Sequence, residues 1–162
     1  MSNQAIRISV SLLCCTALAG LGGFAAGESA GVLQPQLLSK SYQKGEKLED
    51  LRPWPASMVI RPLASHRFVR WYTGPELTSM IYEASDGVIR LTNLSYDEHT
   101  RVLNGTAILT SADGKVQEFH AGDTFAVPKG WNGTWEFKGG YREEITFDTN
   151  SLNEAMKSLF DK

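Results

Sequence analysis

Between His66 and Phe147 the chain is punctuated by glycine. Asp86-Gly87, Asn104-Gly105, Asp113-Gly114, Ala121-Gly122-Asp123 and Gly139-Gly140 each interrupt short segments rich in aromatic and β-branched residues. Glycine reaches positive φ without steric cost, so such pairs suit tight turns. Asn-Gly or Asp-Gly between apolar runs is the strongest short-range hairpin signal. The segments set off in this way include His66–Tyr72, Leu77–Glu83, Val88–Leu94, His99–Leu103, Thr106–Thr110, Val116–Phe119, Thr124–Val127, Trp135–Phe137 and Tyr141–Phe147. Many short strands with turns between them predict an all-β sandwich or barrel. No long helical period interrupts them, which excludes alternating strand–helix units. Asn104-Gly105 is expected to close a hairpin, and Gly139-Gly140 to separate two strands.

The flanks read differently. Residues 26–64 are rich in Gly, Ser, Gln and Lys with scattered Leu and Pro. They predict an irregular arm with room for one short helix, wrapping over a barrel spanning residues 65–148. Trp54, between Pro53 and Pro55, is its expected anchor. Residues 149–162 predict a C-terminal amphipathic helix. Ser151-Leu152-Asn153-Glu154 has the capping-box pattern. Leu152, Ala155, Met156, Leu159 and Phe160 share one apolar face. That face is expected to pack on the outside of the barrel or across a subunit boundary.

At the N-terminus, Arg7 precedes an uncharged apolar run from Ile8 to Leu18, followed by the small-x-small patterns Ala17-Leu18-Ala19 and Gly23-Phe24-Ala25. This is the order of a secretory signal, so residues 1–25 are expected to be cleaved and the protein to be secreted or periplasmic. The run falls short of the ~20 apolar residues of a membrane span, and no stable span is expected. Cys14 and Cys15 are the only cysteines and would leave with the signal. The mature chain would then have no disulfide, thiol nucleophile or thiolate metal ligand. About 137 residues would remain, enough to bury roughly two-thirds of the unfolded surface. The formal net charge is −2 and no basic stripe appears, so nucleic acid is not an expected partner. A hydrolase nucleophile elbow, a phosphate loop, an H-E-x-x-H helix and a dinucleotide fingerprint are all absent from the sequence.

Two patterns remain. Glu98 is followed six residues later by Gly105, and Gly122 is followed by Pro128-Lys129-Gly130, with the Asp113-Gly114 turn between them. In order and spacing these resemble the second half of the first cupin motif and the first half of the second. The run Pro128-Lys129-Gly130-Trp131-Asn132-Gly133-Thr134-Trp135 is similar to the branch of (S)-ureidoglycine aminohydrolase-type and ethanolamine-utilisation-like cupins. The resemblance spans roughly His66 to Asp148 and implies a single jelly-roll barrel. In metal-binding cupins two histidines precede the glutamate and a third follows the Pro-x-Gly turn. Those places hold Leu91, Asn93 and Gly133, and of the usual ligand set Glu98 alone survives. The other candidate imidazoles are poorly placed: His99 should point away from Glu98 by strand alternation, His120 precedes a turn, and His66 is remote. No cofactor is therefore expected, and a divalent metal is the disfavoured alternative.

Glu98 is the candidate catalytic residue, since a carboxyl facing a barrel interior has a raised pKa and can act as acid or base. Trp135 shares strand parity with Gly133 and is expected to face the cavity, either stacking on a ligand or filling space. Asn93, Tyr82, Trp131 and Tyr141 are further candidate ligand contacts. The expected partner is a small molecule, with a homodimer as a further expectation because a barrel and an amphipathic helix offer apolar surface. Three readings stand: a small-metabolite-binding domain lacking the histidine metal site, an aminohydrolase-like enzyme using Glu98, and an interaction domain whose barrel is filled.

Overall fold

The structure, a computed structural model, describes residues 34–160. The expected signal, with Cys14 and Cys15, lies outside the described residues. In chain order the elements are a short helix α1 (Lys40–Gln43), β1 (Glu49–Asp50), a 3-10 turn (Ala56–Met58), β2 (Val59–Arg61), β3 (His66–Thr73), β4 (Leu77–Ala84), β5 (Gly87–Leu91), β6 (Glu98–Ser111), β7 (Val116–His120), β8 (Thr124–Val127), β9 (Gly133–Asp148) and the closing helix α2 (Thr149–Phe160). The all-β expectation holds.

Two of the glycine pairs do not reverse the chain. Asn104-Gly105 lies inside β6, and Gly139-Gly140 lies inside β9. These two strands pair antiparallel along their whole length, from Glu98↔Phe147 to Ser111↔Gly133, and the register shifts only around Asn104 and Thr106. On the other edge of β9, β4 pairs with residues 141–148 and β5 with residues 133–137. On the other edge of β6, β8 pairs with residues 98–101 and β7 with residues 106–110. β3 then flanks β4, and β2 flanks β5. The result is one sheet creased between β4 and β5 at Ser85-Asp86, within β6 at Gly105, between β7 and β8 at Ala121–Asp123, and within β9 at Gly139-Gly140.

The crease has identifiable chemistry. Gly105, Gly122, Gly139 and Gly140 have φ of 72°, 100°, 70° and 67°. Asn104 Nδ2 donates to the carbonyls of Gly139 (3.2 Å) and Gly140 (2.7 Å), and the Gly139 N–H donates to Asp86 Oδ1 at 2.8 Å. Gly122 N–H donates to the Val102 carbonyl and Val102 N–H to that of Asp123, both at 2.9 Å. Facing irregularities in two paired strands bend both together. That is why a strong turn signal produced a fold in the sheet instead of a hairpin. Asp113-Gly114, by contrast, does join β6 to β7, with Ser111 N–H donating to the Lys115 carbonyl at 2.9 Å.

The creased halves enclose one core, in which Tyr82, Val102, Trp135, Phe137, Tyr141, Ile145 and Phe147 are buried. Outside it, Glu83 takes Arg67 and Arg142 from the strands on either side, with Arg142 Nε donating at 2.9 Å. Part of the segment expected to be an irregular arm belongs to the sheet: β1 pairs with β3, and β2 with β5. Trp54 stacks on His66 at 5.8 Å and donates from Nε1 to the Tyr82 hydroxyl at 3.4 Å. The closing helix starts earlier than its capping-box pattern suggested. Asp148 caps it, accepting from Ser151 N–H at 2.7 Å, so Ser151 lies in the first turn. Leu152 and Ala155 are buried against the core, not laid on the outside of the barrel. The side chains of Leu159 and Phe160 lie outside the described residues.

A side chain at Gly105 would collide with the Lys138 carbonyl and come 2.9 Å from Tyr141 Cα, whereas Gly114 (φ 85°) faces open space. Gly114→Ala should therefore cost only left-handed strain, about 1 kcal/mol. Gly105→Ala should cost clearly more, because backbone must also move. Urea midpoints of the two variants measure the difference, and equal losses would mean that the crease is not a tight constraint.

Candidate functional site

The crease leaves a chamber of about 100 Å³ between the sheet halves. The first half supplies Phe68, Met80, Tyr82, Glu98, Glu143, Ile145 and Phe147, and the second supplies Ile89, Leu91, Trp135 and Phe137. The arm adds Leu51 and Trp54, and α2 closes the opening with Leu152, Ala155 and Met156. His66 and Tyr96 complete the wall. The barrel is thus not filled solid.

Two carboxyl groups are sunk in this apolar wall. Glu98 opens β6 and shares the inward face with Thr100 and Val102. Its strand start is pinned by the neighbouring loop: Gly130 N–H donates to the Leu94 carbonyl at 2.7 Å and Lys129 N–H to Asp97 Oδ1 at 2.9 Å. Thr100 Oγ1 donates to Glu98 Oε1 at 3.0 Å. Burial pushes the Glu98 carboxyl up to about 7, against that hydrogen bond. Glu143 sits on β9 between Tyr82 and Val102 and is 2% exposed. The Tyr141 hydroxyl donates to Glu143 Oε2. Burial first, and the charge of Glu98 second, push Glu143 well above the usual carboxylate range. Both acids thus hold their protons more tightly than exposed carboxyls do, and Glu98 is poised to exchange its own near neutral pH.

The other titratable wall groups are held neutral. Burial raises the phenols of Tyr82 and Tyr96, with both carboxylates adding to the shift. Burial lowers the His66 imidazole against a backbone contact from Arg52 and the charge of Asp50. No Lys or Arg lines the chamber. The Trp135 Nε1–H is buried without a hydrogen-bond partner.

Of the candidates named from the sequence, Glu98, Tyr82 and Trp135 converge on the chamber, and Tyr141 reaches it through Glu143. Two do not. Asn93 follows the end of β5, has φ 50°, and is exposed in a groove beside α2. Its candidacy rested on its taking a histidine's place in the cupin motif, and it lies beyond the end of β5. Trp131 folds back over Gly133 and donates from Nε1 to Ser111 Oγ at 3.0 Å, away from the chamber. Sequence reasoning missed Glu143. Its signal was parity: Tyr141, Glu143, Ile145 and Phe147 alternate on one face, so a charged residue occupied a core position.

The cupin metal set does not fit these residues. Leu91 lines the chamber with an apolar side chain, Asn93 lies outside it, and a Cβ at Gly133 would collide with the Thr110 carbonyl. His99 and His120 are exposed. Among the described residues, no three His, Cys, Asp or Glu side chains converge as a metal would require.

Residues 76–143 match the family model described as Cupin_3, the EutQ-like cupin domain. Over that stretch the creased sheet is similar to a cupin barrel. A Pseudomonas syringae pv. tomato protein of unknown function from the DUF861 family has a similar structure, with 20% identity and a TM-score of 0.57 over 62% of this chain and 43% of that one. The chain therefore spans less than half of that protein. The polyketide cyclase RemF from Streptomyces resistomycificus is similar at 14% identity and TM-score 0.52, over 69% of this chain and 80% of its own. The Clostridium difficile EutQ protein gives 22% identity and TM-score 0.47, over 52% and 68%. The likeness to the first two of these structures shows the fold alone. No curated protein matches the chain.

Both buried carboxyls hold protons in the folded chain that the unfolded chain releases above the ordinary carboxylate range. Stability should therefore fall as pH rises, for Glu98 until about pH 7 and for Glu143 in the same sense, by roughly 1 kcal/mol per pH unit for each retained proton. The Glu83 ion pairs act in the opposite sense but titrate below this window, since the two arginines outweigh burial and hold that carboxyl low. A Glu98→Gln/Glu143→Gln double variant should flatten the fall in urea midpoint between pH 5 and 8. An unchanged slope would show that neither acid is buried in solution.

Proposed function

We propose that this cupin barrel binds a small metabolite in the creased chamber without the family's histidine metal set. The observation that supports the reading is a cavity of about 100 Å³, walled by aromatic and aliphatic groups, with two carboxyls on it. Convergent polar groups in an apolar concavity are the usual make-up of a ligand site. The volume suits a molecule of about six non-hydrogen atoms or fewer. The reading is tested on chelator-treated protein with short alcohols, amines and carboxylic acids, read by thermal shift and calorimetry. Ala155→Leu, which pushes an isopropyl group into the chamber from α2, should keep the fold and weaken every binder at least tenfold. Binding unchanged in that variant, or no binder in the panel, overturns the chamber as a ligand site.

A second reading is favoured by one group, the Glu98 carboxyl at about 7. A general acid or base works best with its pKa near the working pH. If the bound molecule is turned over, in an aminohydrolase-like reaction as the sequence resemblance implied, Glu98 is the acid or base. Glu98→Gln should then lower turnover at saturating substrate by about a hundredfold or more.

Export and pairing belong to the same proposal. The N-terminal sequence pattern supports export, and the exposed Ile60, Leu77 and Val116 supply apolar surface for a second copy. N-terminal sequencing of exported protein should start near Ala26, and light scattering should give twice the chain mass. Retention of the leader in the cell, or a monomer, would remove these parts.

A further inference from the structure

We infer that the chamber takes a small organic ammonium ion that also carries a hydrogen-bond acceptor, with the ammonium against Glu98 and Glu143 and the acceptor on the Trp135 Nε1–H. This rests on the chamber being a ligand site, and it names the class of ligand.

The charge balance of the wall carries the argument. Glu98 and Glu143 are its only carboxyls, and no cation faces them. Around them, β3 contributes His66 and Phe68, β4 contributes Met80 and Tyr82, and the segment before β6 contributes Tyr96. β5 adds Ile89 and Leu91, and α2 adds only Leu152, Ala155 and Met156. None of these groups is positive, because His66 is held neutral by burial and the tyrosines are neutral hydrogen donors. Asp50, outside the wall beside His66, adds negative charge. An anion entering this space would meet only acids. A neutral molecule would leave an ionised Glu98 buried and unpaired, which is costly. A monocation supplies the missing charge, and the rings of Trp54, Tyr82, Trp135 and Phe137 line the space around it.

An independent observation fixes the second feature of the ligand. Trp135 lines the same chamber and is 3% exposed, yet its Nε1–H has no partner. A buried donor left unmade costs about 1–3 kcal/mol. A ligand bearing an ether, carbonyl or hydroxyl oxygen beside its ammonium group satisfies both ends of the chamber.

Proton linkage gives the pairing a sign. The cation prefers the ionised carboxylate, so its binding should strengthen as pH rises through about 7, where Glu98 titrates. Between pH 6 and pH 8 the gain should be about tenfold, while amines of this type stay protonated.

Four probes separate the possibilities: 2-methoxyethylammonium, n-butylammonium, and the neutral isosteres 2-methoxyethanol and 1-butanol, titrated by calorimetry into the full mature protein. At pH 8, 2-methoxyethylammonium should bind at least tenfold more tightly than 2-methoxyethanol, with the advantage shrinking at pH 6. Glu98→Gln and Glu143→Gln should each reduce that advantage while leaving the neutral isosteres bound. Trp135→Phe should remove the preference for the ether over the butyl chain. Should a glutamine variant fail to fold, the pH series on the native protein carries the same test. Equal or tighter binding of the neutral isosteres overturns the ammonium inference and leaves the chamber reading intact. If neither these probes nor the wider panel bind, the chamber reading itself falls.

Discussion

Everything in this barrel depends on the crease. Four strand paths, β4–β5, β6, β7–β8 and β9, pass from one half of the sheet to the other at this level, and the two longest, β6 and β9, do so as a bonded pair. Gly105 permits the close approach to Lys138 and Tyr141, and the Asn104 amide holds the opposite strand by its two glycine carbonyls. Without the crease, Glu98 and Glu143 on one half would never face Trp135 and Phe137 on the other. The site is therefore a property of the bend, because no single segment contains it.

The chamber also holds a conflict of forces. Two acids are buried close enough for the charge of one to raise the other, in a wall that otherwise follows the rules of a packed core. Burial of unpaired carboxyls lowers stability, and one hydrogen bond each, from Thr100 and Tyr141, offsets only part of that. Sequences that fold well are locally consistent, and the violations that persist tend to mark function. Here the violation is confined to the chamber. The half-buried acid Glu83, by contrast, is satisfied by two arginines.

Much of the fold was legible because alternation and glycine are backbone-level signals. Strand parity placed Trp135 inward and His99 outward, as the burial pattern has them. The signals failed where one local preference serves two geometries. Positive φ says that a chain can turn, not that it reverses, so Gly105 and Gly139-Gly140 looked like hairpins when they bend long strands. Ser151 and Asp148 are both competent caps, and pairing of Asp148 with Leu77 fixes where the strand stops and the helix starts. Glu143 was overlooked because Arg142-Glu143-Glu144 reads as a solvated charge run. Only its parity with Tyr141 and Ile145 betrays it. Asn93 takes a motif position of the metal-binding cupins, but β5 ends at Leu91, so that resemblance does not carry it onto the chamber.

The missing histidines are more than erased ligands. Had the site merely decayed, the former ligand positions would still be geometrically competent. They are not. Gly133 is closed to any side chain by the Thr110 carbonyl and the Trp131 ring, and Asn93 has left the strand on a positive φ. Leu91, the one position still on the chamber, contributes to its apolar wall. The backbone at these positions does not suit a histidine cluster, while a second acid, Glu143, shares the inward face of the same sheet half with Glu98. The polar focus of this barrel is thus a carboxyl pair. Such a pair attracts positive charge directly, where the usual cupin set would do so through a metal.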